Sequence, residues 1–166
     1  MVKTRDEVAL MRISGRLLAS VFEMLDGQDL AGMSTLQVND LVDGLIVHEL
    51  KARPASKGQY GYAYALNASR NHVVCHGVPS SEDILQDGDI VNFDITLEKN
   101  GYIADSSKTY LVGEVSQPAR RLVQVAYEAM WKGIQAVRPG ATLGDVGHAI
   151  ERHARRVGCG CSLIAV

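Results

Sequence analysis

Residues 90–112, IVNFDITLEKNGYIADSSKTYLV, constrain the fold of this chain more than any other stretch. Val91, Phe93, Ile95 and Leu97 alternate with Ile90, Asn92, Asp94, Thr96 and Glu98, so one face of an extended segment seeks a core and the other is polar. Asn100-Gly101 then supplies the two residues that most readily take positive φ in a tight hairpin turn. With that pair as the loop, Lys99 faces Tyr102, Thr96 faces Asp105 and Asp94 faces Ser107. Asp94 and Asp105 become diagonal neighbours on the polar face, roughly 7–8 Å apart or somewhat less at Cβ.

Two carboxylates aimed at one point repel by about 4 kcal/mol at 4 Å when the effective dielectric is near 20. A shared proton, water between separated side chains, or a cation held by hard oxygen ligands would each offset that cost. Simple solvation on an exposed sheet face would also do so. The hairpin alone leaves these alternatives open.

The 166 residues suffice for one ordinary domain that buries roughly 70% of the surface its unfolded chain exposes. The net charge of -2 and the absence of a long Lys/Arg run argue against a nucleic-acid module; Arg152, Arg155 and Arg156 read as a solvated helix face. The start, MVKTRDEVALM, is charged where a signal peptide would be apolar, and no run is long enough to span a membrane, so a cytoplasmic protein is expected. Cys75, Cys159 and Cys161 have no zinc-ligand spacing and suit a reducing compartment.

Along the chain, Thr4 and Glu7 form a capping box ahead of an apolar stripe through Val8, Met11, Leu18, Val21, Phe22 and Leu25, which predicts a helix from about Arg5 to Asp26. Ser34 and Gln37 repeat the signal for a second helix that ends before Arg53-Pro54. Tyr60, Tyr62 and Tyr64 cluster in an aromatic-poor chain, either as alternating strand positions or as the wall of an apolar pocket. The stretch from His72 to Pro79 reads as a short strand running into a turn, with His76 just upstream of the paired aspartates. A third helix starts at Ser116 or Gln117 with a stripe of Leu122, Val125, Ala126, Ala129, Met130 and Ile134, and a fourth opens at Thr142 and Asp145 and closes at Gly158. The last residues, 159–166, are apolar and strand-like.

The order helix, helix, strands, helix, helix contains a repeat: LAGMSTL and VRPGATL are both joints between a longer and a shorter helix. Symmetry would supply a second set of strands, so the chain is expected to be cut short, with a sheet edge left unpaired.

VVCHGVP, DGDIVNFDIT and GYIADSSKTYLVG, in this order and spacing, resemble the type I methionine aminopeptidases, and MRISGRLLA and RPGATLGDVGHAIERHA agree with them. The resemblance covers the chain to about Gly158. It implies an α+β, pita-bread fold in which an antiparallel sheet is covered by two helix pairs, incomplete here. Residues 1–158 would be the N-terminal part of the catalytic domain and 159–166 a divergent tail.

The family holds two divalent metals (cobalt, manganese, iron, zinc or nickel) between Asp, Asp, His, Glu and Glu. Asp94 and Asp105 match the first two of these ligands, the former chelating and the latter bridging. His76 matches the catalytic histidine that contacts substrate, and Tyr60 and Tyr62 resemble the wall of the methionine pocket, although Ala63 and Asn67 depart from the usual residues there. The implied activity is removal of the N-terminal methionine from nascent polypeptides by metal-activated water.

Glu114, Glu128, Glu151, His148 and His153 do not match the three remaining ligands. Weak or absent metal occupancy and little or no aminopeptidase activity are therefore expected. The alternative is a non-catalytic half-domain with a binding or regulatory role, and self-association through the exposed half-sheet is a variant of it. Creatinase and prolidase relatives share the fold but fit VVCHGVP and the short N-terminus less well.

Overall fold

The computed structural model describes residues 2–158, which fall into two compact units divided between Glu114 and Val115. The strand-like reading of 159–166 lies outside the described residues. The first unit opens with α1 (Arg5–Asp26), whose capping box joins the Thr4 hydroxyl to the Glu7 amide and the Glu7 carboxylate to the Thr4 amide. Gly27 caps its other end. Next comes α2 (Thr35–Gly44), capped in the same reciprocal way by Ser34 and Gln37. It runs on into a π-helical turn, Leu45–Glu49, which the apolar periodicity did not anticipate.

Four strands follow: β1 (Arg53–Pro54), β2 (Leu66–Arg70), β3 (Ile90–Lys99) and β4 (Tyr102–Leu111), all antiparallel. β4 pairs with β3 along its whole length, so the short β1 and β2 share the other edge of β3. The hairpin register is the expected one, with Lys99 opposite Tyr102, Thr96 opposite Asp105 and Asp94 opposite Ser107. Asn100 and Gly101 both take positive φ, 54° and 80°, as the two-residue turn requires.

The core lies on the odd-numbered face of β3. Val91, Phe93, Ile95 and Leu97 are each 0% exposed and pack with Leu18, Val21 and Leu25 of α1 and Val38, Val42 and Ile46 of the second helical segment. Each such side chain contributes about 1.5–3 kcal/mol of burial. Buried polar groups fasten the layers: the Ser14 hydroxyl donates to the Tyr102 carbonyl at 2.8 Å, and Asn39 Oδ1 accepts from the Ala65 amide at 2.8 Å.

Two expectations are corrected. Residues 72–79 are not a strand. The segment bonds to β2 at scattered points, the Val73 amide on the Arg70 carbonyl and Gly77 with the Ala68 amide and the Ser69 hydroxyl, and His76 takes φ 55°, which breaks an extended run despite its β-branched residues. Tyr60 and Tyr62 are not alternating strand positions, because Gln59–Gly61 is a 3₁₀ turn with Tyr60 at φ 51°. The strand β2, five residues on, had not been singled out.

In the second unit, α3 (Gln117–Ala136) is capped by Ser116, and α4 (Leu143–Arg156) by a Thr142–Asp145 capping box. The two pack where α3 carries Gly133: a Cβ there would meet Ile150 at 2.8 Å. Val125 and Ala129 are buried with it, whereas Leu122, Met130 and Ile134 of the expected stripe remain 40–49% exposed. Among the described residues, no helix is long and apolar enough to cross a membrane.

Candidate metal centre

β3 places Asp94 on the face opposite the core, beside Asn67 of β2 and Ser107 of β4, while Thr96, two residues on, sits across from Asp105. Counting from the two-residue turn, Thr96–Asp105 and Asp94–Ser107 are the pairs without mutual backbone hydrogen bonds, whose Cα atoms approach to roughly 4.5 Å. The Thr96 carbonyl accepts instead from the Ala55 amide on the β1 side, at 2.9 Å. This register therefore crowds Asp94, Thr96 and Asp105 onto one patch.

The electrostatics of the patch record that crowding. The Asp94 carboxyl is held above the ordinary carboxylate range, first by burial, then by the charge of Asp105 and a hydrogen bond with it, against a smaller opposing pull from His76. Tyr62 donates its hydroxyl to the Leu66 carbonyl at 2.9 Å and stacks edge-on with Tyr64 at 5.6 Å. Its phenol is pushed up to about 12 by burial, by Tyr64 and by Asp94. Asp94 and Asp105 have no ion-pair partner among the described residues, since Lys108 and Arg53 pair with Asp26 and Glu98.

The structure thus brings Asp105, His76 and Tyr62 within electrostatic reach of Asp94. Tyr60 is not among them: it stands fully exposed on the 3₁₀ turn. His76 is held by its neighbour. The Gly77 carbonyl accepts from the Ala68 amide at 2.8 Å and the Gly77 amide donates to Ser69 Oγ at 3.1 Å, while a Cβ on Gly77 would come within 2.0 Å of the Ala68 carbonyl oxygen. Below it, Asp89 accepts from Arg70, Asn71 and the Gln86 amide and ties together the two ends of the 71–89 loop. Ser69 and Asp89 carry no sequence signal, because a lone serine or aspartate outside a motif has many uses.

A hard divalent cation suits the donors present. Two carboxylates without a basic partner repel until a proton or a cation comes between them. The Thr96 hydroxyl beside them is buried and has no hydrogen-bond partner among the described residues. Among the described residues, no group of three or more His, Cys, Asp or Glu side chains converges, so the patch offers two ligands of a centre rather than a closed cage.

The sequence model of Metallopeptidase family M24 matches residues 9–163. The chain is 39% identical over 155 residues to a methionine aminopeptidase of Rickettsia prowazekii, covering 93% of this chain and 59% of the relative. It is 36% identical over 157 residues to that of Escherichia coli K12, covering 95% and 60%. The crystal structure of the Rickettsia prowazekii enzyme superposes with a TM-score of 0.91 at 39% identity, covering 95% of this chain and 62% of that one. The Thermotoga maritima enzyme gives 0.90 at 34% identity, with 95% and 63% covered. A prolidase from Pyrococcus furiosus, at 20% identity and a TM-score of 0.77, shares the fold alone.

The architecture is therefore the α+β, pita-bread one, and the chain spans about three-fifths of the length of the relatives it matches. A paired-aspartate hairpin in this register, on this fold and with this match along nearly the whole sequence, places the chain in metallopeptidase family M24.

Proposed function

We propose that this chain is a methionine aminopeptidase-type metalloprotein in which Asp94 and Asp105 hold divalent metal and His76 and Tyr62 face the substrate's N-terminal residue. The observation that carries this reading is the shared face of Asp94 and Asp105, two carboxylates forced together without a basic partner. A bound divalent cation would polarise a peptide carbonyl and lower the pKa of water.

The chain's own residues do the rest. Asp94 and Asp105 would offer their carboxylate oxygens to a cation, whose charge offsets the repulsion between them. His76, whose backbone is pinned through Gly77, presents an imidazole to the same patch. Tyr62, its hydroxyl anchored on the Leu66 carbonyl, turns an apolar ring toward it. Tyr60 would join this wall only by swinging in from solvent.

Two carboxylates with water completing the coordination shell do not fix a two-metal geometry. Metal of the cobalt, manganese, iron, zinc or nickel class is accordingly expected to bind weakly, and turnover to be slight or absent. With cobalt or manganese added, hydrolysis of a Met-Gly-Met peptide is expected to run no faster for the chain than for Asp94→Ala. Turnover that Asp94→Ala abolishes would overturn the expectation of inactivity and leave the metal assignment standing.

The unconverged ligand set favours a second reading, a non-catalytic domain that binds nascent chains or a further copy of itself in the cytoplasm. The outer edge of β4, unpaired among the described residues, is where such self-association would form. Light scattering that shows only monomer at high concentration removes the self-association.

A further inference from the structure

Two buried side-chain oxygens lack a partner among the described residues, Asp43 Oδ1 and Thr96 Oγ1. The first is the spare half of a carboxylate whose other oxygen already holds Lys57 at 2.7 Å. Thr96 has a single hydroxyl and no such account. An orphaned buried hydroxyl is costly, and native chains seldom keep one without a use.

The neighbours on the same face show what is missing. Four residues back, Asn92 Nδ2 donates across the hairpin to the hydroxyl of Thr109, its direct partner, at 3.1 Å. Two residues on, Glu98 closes a cross-strand ion pair with Arg53 of β1. Between them Thr96 faces Asp105, an acceptor at the same register distance, and makes no bond. The other carboxylate on this face, Asp94, is the diagonal neighbour of Asp105 and feels its charge.

We propose that Thr96 is a positioning residue for Asp105: with a divalent cation on the two carboxylates, its hydroxyl donates to the Asp105 oxygen turned away from the cation and fixes the plane of that carboxylate. The inference rests on the metal-centre reading above. In metal-bound proteins the groups that hydrogen-bond a ligating carboxylate set its orientation, and their loss typically weakens metal binding 10- to 100-fold. The hydroxyl thus stands unpaired in the metal-free chain and acquires its partner on loading.

This makes the two effects of removing it opposite in sign. Thr96→Val keeps the shape and the strand preference and deletes the orphan. In chelator-treated buffer its Tm is expected to equal or exceed that of the wild type. Titrated with Co(II) and followed by visible absorption, it is expected to bind about tenfold or more weakly, and Thr96→Ser, which retains the hydroxyl, is expected to restore wild-type affinity.

A Tm that falls together with affinity in Thr96→Val, or a Thr96→Ser variant as weak as Thr96→Val, would overturn the positioning role in favour of plain packing. Asp94→Ala separates the remaining failures. If the wild type gives no Co(II) band that Asp94→Ala removes, the metal centre is wrong and the role of Thr96 falls with it. If that band exists and Thr96→Val leaves it unchanged, the role of Thr96 alone is wrong.

Discussion

Burial and the facing carboxylate of Asp105 keep Asp94 protonated to higher pH than in an unfolded chain. Between the unfolded and the raised folded pKa the native state therefore binds the extra proton, so stability falls as pH rises through that window. Asp94→Asn removes the conflict. In metal-free buffer it is expected to raise Tm at neutral pH and to give no gain near pH ~3, where both states are already protonated; differential scanning fluorimetry at the two pH values checks the sign. Gly77 is the other single residue on which the site turns. Gly77→Ala is expected to cost about 1–3 kcal/mol by overpacking, because its Cβ overlaps the Ala68 carbonyl oxygen, and urea unfolding measures it. Asp94 and Asp105 were legible as a pair because strand alternation and an Asn-Gly turn fix the facing register. The left-handed backbone of His76 was not, since it goes with the bonds of its neighbour Gly77 to Ala68 and Ser69 of β2, nine and eight residues back in sequence.

At the scale of elements, termini were the most readable features. Thr4–Glu7, Ser34–Gln37 and Thr142–Asp145 all form the reciprocal bonds their spacing implies, because a capping box is a local agreement between four consecutive residues. Thr142→Ala is expected to cost about 1 kcal/mol, seen as a loss of helical signal on heating before the rest of the chain unfolds. Gly101→Ala should cost about 1–2 kcal/mol, since φ 80° is strained for any residue with a Cβ; a lower urea midpoint at an unchanged m-value is the expected result. The π-helical turn at Leu45–Glu49, the 3₁₀ turn at Gln59–Gly61 and the unstranded 72–79 loop escaped the sequence reading. Each is tied by a bond to a residue six to eight positions away, beyond the span of a cap or a tight turn: Ala52 on the Ile46 carbonyl, Ser56 on the Tyr64 carbonyl, Gly77 on Ser69.

On the scale of the molecule, the core cluster draws its members from Leu18 to Val112, inside the first compact unit. A fragment of residues 1–114 is accordingly expected to keep a cooperative thermal transition and a near-ultraviolet signal from Phe93 and Tyr110, whose rings lie 5.6 Å apart. A broad, non-cooperative melt of that fragment would show that the unit needs more of the chain to hold its packing.

The sequence by itself determined the hairpin, its register, the helix ends and the two aspartates, because alternation, turn chemistry and caps act over a few residues and need no distant partner. Only the tertiary structure decided which groups meet those aspartates. His76, beside a glycine pressed against β2, and Tyr62, anchored on the Leu66 carbonyl, lie within electrostatic reach of Asp94, and Tyr60 is left in solvent. It also showed Thr96 with a buried hydroxyl and nothing to hold, for which alternation alone gives no sign. Such meetings depend on the packing of segments far apart in the chain, and local pattern carries no record of them.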